Sequence, residues 1–300
     1  MINQLISFAS ARGGADFKIK MMKYLLNIFL FPSTLFAQTT VRGIIVNSNR
    51  DPLAYTNIVA LNKRVGTVTN EIGAFRLSNM LPEDSLKIST VGFIAKVMAV
   101  KELVGHDTIW LTENVQQLDA VVIENLAAYK QERNIGYTDY PKNGTFTMGP
   151  GDQLATYIPN QQDKEGWIKG VSFKVKTFGK CDNSMRVRVL QMDPLHFMPA
   201  EDLLAENVIV TPGDLKKSTY VDLSSYRLVM PKAGVFVVLE WIYPDRDCDQ
   251  HSYTAIASNF VVQDNIVWFN FRDKAWSHDH RPRLPNGNYN TPNVGLRVAY

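Results

Sequence analysis

Histidine and cysteine are scarce in this chain, with five His and two Cys in 300 residues. No His is followed by Glu three positions later, so the His-x-x-Glu pair of zinc carboxypeptidases is missing. The motifs H-E-x-x-H, G-x-S-x-G and a phosphate-binding glycine loop are missing as well. These absences predict a protein that is not an enzyme, although a hydrolase without a recognisable motif stays an alternative.

An excess of one charge sign is also missing once the N-terminal segment is set aside. The whole chain has 32 basic and 29 acidic residues, but residues 1–37 hold four basic residues and one acidic residue. The remaining chain therefore carries 28 of each sign. A neutral balance gives no electrostatic basis for binding nucleic acid, so we expect no such partner.

The chain lacks a hydrophobic run long enough for a comfortable membrane span. Its apolar stretch at Tyr24–Phe31 follows Lys23 and precedes Ala37, which is the order of a secretory signal peptide over residues 1–37. Residues 1–20 look superfluous, which places the true start at Met21 or Met22. We expect cleavage after Ala37, no transmembrane span afterwards, and a location in the periplasm, at the outer-membrane periphery or outside the cell; an uncleaved anchor is the alternative.

The two cysteines lie in loops that follow predicted strands. Cys181 falls in GKCDNS and Cys248 in PDRDCDQ. In an oxidising compartment two such residues are candidates for one disulfide, because the loops at one end of a sandwich cluster in space. Two unrelated thiols are the alternative.

The segment GTVTNEIGAFRL, residues 66–77, predicts a strand, a tight turn and a second strand that form a hairpin. Asn70 tolerates left-handed backbone and Gly73 adopts a positive φ without steric cost. In the second strand, Phe75 is expected to point into the core.

The surroundings of this segment resemble the carboxypeptidase-regulatory-like domain. The positions that carry the resemblance are Gly43, Pro52-Leu53, Asn57-Ile58, Gly66-Thr67, Thr69-Asn70, Gly73–Phe75, Gly92-Phe93, Leu111 and Leu118–Val122. The resemblance implies a transthyretin-like, seven-stranded β-sandwich over residues 39–124, of a type found in exported Bacteroidota proteins. It implies no peptidase activity, because this domain is the non-catalytic companion of carboxypeptidases.

Residues 125–144 are predicted as a linker and residues 145–300 as a larger, antiparallel, jelly-roll-like β-sandwich. Side chains alternate over Ile168–Thr177, and Val235–Tyr243 is an apolar run typical of a central strand. The order of WIKGVSFKV, MRVRVLQMD, DLLAENVIV and YVDLSSYRLVMPKAGVFVVLEWI resembles an uncharacterised sandwich of Bacteroidota envelope proteins. The predicted fold class is therefore all-β.

Metal-binding patterns are weak. Asp245, Asp247 and Asp249 form D-x-D-x-D, but Gln250 and Ile256 replace the Gly and Glu that an EF-hand loop requires. A looser calcium site is the alternative to a solvated loop. His278 and His280 form a second weak metal candidate, and no cofactor is expected.

Aromatic residues near the C-terminus offer one candidate for ligand contact. Trp276 lies in a polar loop and, with Trp268 and Tyr289, would form a platform for stacking on a sugar ring; a packing role is the alternative. The sequence therefore predicts an exported, non-enzymatic envelope protein that binds or scaffolds a protein or glycan partner. A carbohydrate-binding accessory protein of a polysaccharide-utilisation system is the competing hypothesis.

Overall fold

The fold follows from a chain of short β-strands, seen in a computed structural model of the protein. The structure describes residues 39–63, 65–103, 105, 107–114, 129–178, 184–211, 218–242, 253–262, 264, 266–271, 275–278 and 284–300. The predicted signal peptide, Cys181, Cys248, Asp245, Asp247, Asp249 and His280 lie outside these residues.

The N-terminal sandwich contains seven strands among the described residues and one short helix. The strands are β1 (Thr39–Val46), β2 (Asn57–Ala60), β3 (Gly66–Val68), β4 (Ala74–Met80), β5 (Ser85–Ser89), β6 (Lys96–Ala99) and β7 (Thr108–Trp110), and the helix is α1 (Val100–Leu103). They form a three-stranded sheet in the order β4-β1-β7 and a four-stranded sheet in the order β3-β2-β5-β6. Ile45, Ile58, Phe75 and Ile88 are buried together in the core of this sandwich. The β-sandwich prediction and the core position of Phe75 are confirmed, and seven strands lie within the described part of the domain.

The hairpin predicted at residues 66–77 is wrong in its pairing. β3 pairs with β2 and β4 pairs with β1, so the two arms lie in different sheets. The turn chemistry is as expected: the Asn70 side-chain oxygen accepts hydrogen bonds from the N–H groups of Ile72 and Ala74, at 3.2 and 2.9 Å. Gly73 has φ +72° and a Cβ there would lie 2.6 Å from the Ile45 carbonyl oxygen. The turn thus carries the chain from one sheet to the other.

The C-terminal sandwich contains the remaining strands. They are β8 (Glu132–Gly136), β9 (Gly144–Phe146), β10 (Asp152–Ile158), β11 (Gly166–Phe173), β12 (Val175–Phe178), β13 (Met185–Asp193), β14 (Met198–Asp202), β15 (Val208–Val210), β16 (Thr219–Asp222), β17 (Val229–Met230), β18 (Val235–Trp241), β19 (Tyr253–Val262), β20 (Val267–Phe271), β21 (Ser277–His278), β22 (Tyr289–Pro292) and β23 (Val294–Ala299). A single 3₁₀ turn at Ser224–Tyr226 interrupts the described part of this region.

Three sheets build this sandwich. A seven-stranded sheet has the order β14-β13-β18-β10-β20-β21, with β15 beside β13. A five-stranded sheet (β16-β11-β23-β8, with β17 beside β11) and a four-stranded sheet (β12-β19-β22, with β9 beside β19) supply the remaining strands. The main core draws buried side chains from all three sheets, including Leu239, Val171 and Ile256. The all-β sandwich prediction is confirmed, and the finer jelly-roll type stays a prediction.

The linker predicted over residues 125–144 needs correction in its second half. Glu132–Gly136 pairs with β23 as the edge strand β8, and β9 begins at Gly144 and pairs with β19. Ile135 supplies the physical reason, since its side chain is buried in the main core while its neighbours face outward.

The residues from Thr39 to Tyr300 form one compact unit.

No helix within the described ranges is long and apolar enough to cross a membrane.

Candidate functional site

A row of polar side chains crosses the face of the seven-stranded sheet that points away from the main core. Arg186 on β13 lies opposite Glu240 on β18, Glu240 lies opposite Gln153 on β10, and Gln153 lies opposite Asn270 on β20. Side chains alternate between the faces of a strand, so these four share one face while Leu239 and Trp241 enter the main core. All four are buried, so another part of the chain must cover them.

The N-terminal sandwich covers Arg186 and Glu240. Arg186 is 2% exposed and Glu240 is fully buried. The Arg186 Nη1 atom lies 2.9 and 2.8 Å from the two carboxylate oxygens of Glu240. Asn57 Nδ2 donates to Glu240 Oε1 at 2.5 Å, and Arg186 Nη2 donates to the Tyr55 carbonyl oxygen. We call these four residues, Tyr55, Asn57, Arg186 and Glu240, the clasp.

A second set of contacts surrounds the clasp. Arg188 donates to Asp202 from Nε and Nη2, at 3.0 and 2.5 Å, and to Gln153 Oε1 from Nη1 at 2.7 Å. Asn207 Nδ2 donates to Thr90 Oγ1 at 2.8 Å and so joins the two sandwiches again. The buried Arg186 and the half-buried Arg188 therefore each have an oppositely charged partner.

Backbone also approaches backbone at this interface. Gly92 has φ +83°, and a Cβ at this position would lie 2.4 Å from the Ala205 carbonyl oxygen of the C-terminal sandwich. Glycine is needed here both for its backbone conformation and for the close approach.

A small polar cleft of about 50 Å³ lies beside the clasp. Its lining comes from both sandwiches: Asn57, Ser89, Thr90, Val91, Gln153, Arg186, Arg188 and Glu240. Asn57 Oδ1 and Arg186 Nε are buried and make no hydrogen bond with another protein atom. The lining of the cleft thus includes both members of the buried Arg186–Glu240 pair.

An aromatic cluster occupies the other half of the same sheet face. We define it as Trp268, Trp276 and His278. The ring centroids of Trp268 and His278 are 4.7 Å apart at an interplanar angle of 35°, and the two residues are cross-strand neighbours on β20 and β21. Trp268 and Trp276 are half-buried and pack against a small apolar cluster that includes Phe236 and Val238. Trp268 Nε1 is buried and has no hydrogen-bond partner.

Tyr157 and Phe197 extend this aromatic surface along the sheet. The Tyr157 ring lies 4.8 Å from that of Phe197 and 5.4 Å from that of Phe236, measured between centroids. Burial raises the pKa of Tyr157 above its usual value. Its hydroxyl accordingly stays protonated at neutral pH and donates to the Ala233 carbonyl oxygen at 2.6 Å.

The predicted platform is assembled only in part. Trp276 and Trp268 share one cluster, whereas Tyr289 lies on β22 in the four-stranded sheet. His278 is the one predicted metal candidate within the described residues, and it packs on Trp268. The described ranges contain no group of three or more potential metal ligands. The calcium site and the disulfide stay predictions, since their residues lie outside those ranges.

The clasp was not predicted from the sequence. Two features of the sequence indicate part of the clasp. Glu240 is an acidic residue inside the apolar run VFVVLEWI, and Arg186 lies within the strand-like segment MRVRVLQMD. A charge in a strand predicted to be central requires a buried partner. Asn57 gave no such signal, since it lies 183 residues from Glu240.

A comparison with known protein families agrees with the fold of the N-terminal sandwich. Residues 41–123 match the family model described as CarboxypepD_reg-like domain. The N-terminal sandwich is therefore a carboxypeptidase-regulatory-like domain.

One curated relative covers more of the chain. The TonB-dependent receptor SusC of Bacteroides thetaiotaomicron is 29% identical over 166 residues, which is 54% of this chain. The chain spans only 15% of the length of that receptor. The match supports a Bacteroidota type of protein.

A solved structure, the clostridial cysteine protease Cwp84 after propeptide cleavage, is 11% identical and has a TM-score of 0.40. The similarity covers 56% of this chain and 40% of the protease chain, and at this level it supports no argument about fold or activity.

Proposed function

We propose that this protein is an exported, non-enzymatic binding or scaffolding module of the cell envelope. The observation that carries the proposal is the clasp, in which Asn57 and Tyr55 of one sandwich contact the buried Arg186–Glu240 pair of the other. A buried ion pair holds one geometry, because displacing either partner leaves an uncompensated charge. The carboxypeptidase-regulatory-like domain would thus be a fixed part of a single binding unit.

The similarities support this proposal without extending it to a particular partner. Carboxypeptidase-regulatory-like domains accompany catalytic domains and are not catalytic themselves. The resemblance to a TonB-dependent receptor supports a place in the envelope. That the chain has a signal peptide and binds a protein partner at the outer membrane is part of the proposal.

Photo-cross-linking in living Bacteroidota cells tests the scaffolding function. A photo-reactive residue would replace Leu195, which is 86% exposed on the C-terminal sandwich, or Ile72, which is 66% exposed on the N-terminal sandwich. We expect the full chain to fractionate with the envelope and one position to cross-link a single envelope protein reproducibly. Recovery of the chain from the cytoplasm, or equal and diffuse cross-linking at both positions, would refute the proposal.

The aromatic cluster favours carbohydrate binding as a second candidate function. Trp268, Trp276 and His278 present half-buried rings beside a polar cleft on the same sheet face. Aromatic faces stack on the apolar faces of sugar rings, while nearby polar groups fix their orientation.

Glycan-array screening followed by tryptophan fluorescence titration tests this second function. We expect Trp276→Ala to weaken binding of a selected glycan by about 2- to 10-fold, as for the loss of about 0.5–1.5 kcal/mol of ring contact. Trp110→Ala is the matched control, because Trp110 is exposed on the N-terminal sandwich away from the cluster. No glycan binding, or equal effects of the two substitutions, would remove this candidate.

A further inference from the structure

The strand β7 is a free edge of the three-stranded sheet in the N-terminal sandwich. It pairs only with β1, to which the Asp107 carbonyl and the Leu111 N–H make hydrogen bonds of 2.8 and 3.0 Å. Backbone groups of successive strand residues point to opposite sides, so those of Thr108 and Trp110 point away from β1. Within the described part of the chain, the Thr108 N–H and carbonyl and the Trp110 N–H make no hydrogen bond.

Large apolar side chains flank this free edge. Trp110 is 44% exposed on β7, and Ile44 is 40% exposed on the neighbouring β1. Ile44 lies opposite Thr108, two residues before Trp110, so the two apolar side chains share the outer face of the sheet. The edge therefore offers both backbone hydrogen bonds and apolar surface to another strand.

Two other edge strands are protected against such pairing, as free edges usually are, by charge or irregular backbone. β4, at the opposite edge of the same sheet, has the exposed Arg76 and a positive φ of 64° at Asn79. β8 exposes Glu132 and Arg133. β7 has neither form of protection within its three residues. We infer that β7 pairs with β7 of a second copy of this chain and so joins two copies into a dimer.

A two-fold antiparallel pairing centred on Ile109 satisfies the free backbone groups. Thr108 of one copy then lies opposite Trp110 of the other, and each of these two pairs exchanges two N–H···O bonds. The Trp110 carbonyl accepts from Lys96 Nζ at 3.4 Å and keeps a second lone pair for the other copy. Each Trp110 ring lies in one cross-strand row with Thr108 and Ile44 of the other copy.

The charges beside the edge favour a second copy as the occupant. Lys96 Nζ lies at the Trp110 carbonyl, and the exposed Asp107 immediately precedes β7. In the antiparallel pairing, Asp107 of each copy approaches Lys96 of the other, which gives two contacts between opposite charges. One edge thus supplies both halves of the interface, as a two-fold contact requires. The inference does not depend on the proposed function, since it rests on β7 and its neighbours alone.

Sedimentation equilibrium of the full chain tests the inference at concentrations from about 1 μM to about 1 mM. We expect a reversible equilibrium between monomer and dimer with a dissociation constant inside this range, because a three-residue ladder is a small interface. A chain that stays monomeric at the highest concentration would overturn the inference.

Substitutions in β7 test whether the dimer uses this edge. Thr108→Pro removes an outward N–H, and Trp110→Lys places a charge on the edge. We expect each to raise the dissociation constant by about 10-fold or more. Ile72→Lys is the control, because Ile72 is 66% exposed in the turn before β4 and lies outside the edge. A dimer that both β7 variants leave unchanged, or that Ile72→Lys weakens equally, would contradict the inference.

Charge reversal tests the two-fold register without altering the strand. We expect Lys96→Glu to weaken the dimer, since it places like charges beside Asp107 of the other copy. Adding Asp107→Lys to Lys96→Glu should restore the dissociation constant to near the wild-type value. A double variant that is as weak as Lys96→Glu, while circular dichroism shows it folded, would overturn the proposed pairing. This comparison decides the matter if Thr108→Pro does not fold.

Discussion

Glu240 and Arg186 lie in surroundings that normally exclude charge. Glu240 follows five apolar residues of β18 and precedes Trp241, which is fully buried. The pair is acceptable there because Arg186 contacts both carboxylate oxygens and Asn57 and Tyr55 fill further hydrogen-bonding positions. A buried pair of this kind contributes little net stability compared with apolar residues, but the loss of one partner is costly. Its role is therefore to select one arrangement.

Replacing Glu240 by Gln should reveal this dependence. The substitution retains the shape but leaves the Arg186 guanidinium buried without a counter-charge, which should lower the free energy of unfolding by about 3–5 kcal/mol. Denaturant titration measures the change from the first unfolding transition of each variant. Asp163→Asn is the control, because Asp163 pairs with Lys232 at 3.7 Å on the surface and its loss should have no measurable effect. Similar effects of the two substitutions would contradict our account of the clasp.

Asp84 connects two turns of the N-terminal sandwich. Its carboxylate accepts from Lys63 Nζ at 2.5 Å and from the Leu81 N–H at 2.7 Å. Burial by itself raises the pKa of Asp84, but the Leu81 N–H and the Lys63 ammonium lower it by more, so the net pKa lies below its ordinary value. The loop after β2 is thereby tied to the turn between β4 and β5.

This pKa direction predicts acid sensitivity. A depressed folded-state pKa stabilises the protein above the unfolded-state pKa of about 3.9, and that stability is lost as the pH falls through the folded-state value. Unfolding free energies measured between pH 7 and pH 3 should therefore fall less steeply below pH 4 for Asp84→Asn than for the wild type. Identical slopes would show that the Lys63–Asp84 contact does not contribute.

At the scale of the elements, strand positions were largely predictable, whereas strand partners were not. The alternation in Ile168–Thr177 and the apolar run from Val235 correspond to β11, β12 and β18. The turn residues Asn70 and Gly73 were also recognised. Their local chemistry reverses the chain but does not determine which sheet each arm joins, because that choice depends on β1 and β2.

Of the two features of the candidate site, the sequence predicted only the aromatic cluster, and it did so from Trp276. Its neighbours Trp268 and His278 are close in sequence, so local patterns brought them together. The clasp joins Asn57 to residues more than a hundred positions away. A single sequence contains no record of such a pairing, and only the docked sandwiches reveal it.

The whole molecule behaves in our account as one unit from Thr39 onward. Gly92→Ala should weaken the contact between the sandwiches, since the new Cβ would lie 2.4 Å from the Ala205 carbonyl oxygen. Gly105→Ala is a close control, because Gly105 has a similar φ of +92° but no neighbouring atom within 4 Å of the point where a Cβ would lie. Both substitutions incur a backbone strain of about 1–2 kcal/mol. The larger loss of unfolding free energy is expected for Gly92→Ala, and equal losses would argue against close backbone contact.

Calorimetry of thermal unfolding tests the central claim most directly, namely that the clasp joins the two sandwiches into one binding unit. For the wild-type chain we predict a single transition whose calorimetric and van't Hoff enthalpies agree. For Glu240→Gln we predict two transitions, one for each sandwich. Two separate transitions in the wild type, unchanged by Glu240→Gln, would contradict the account.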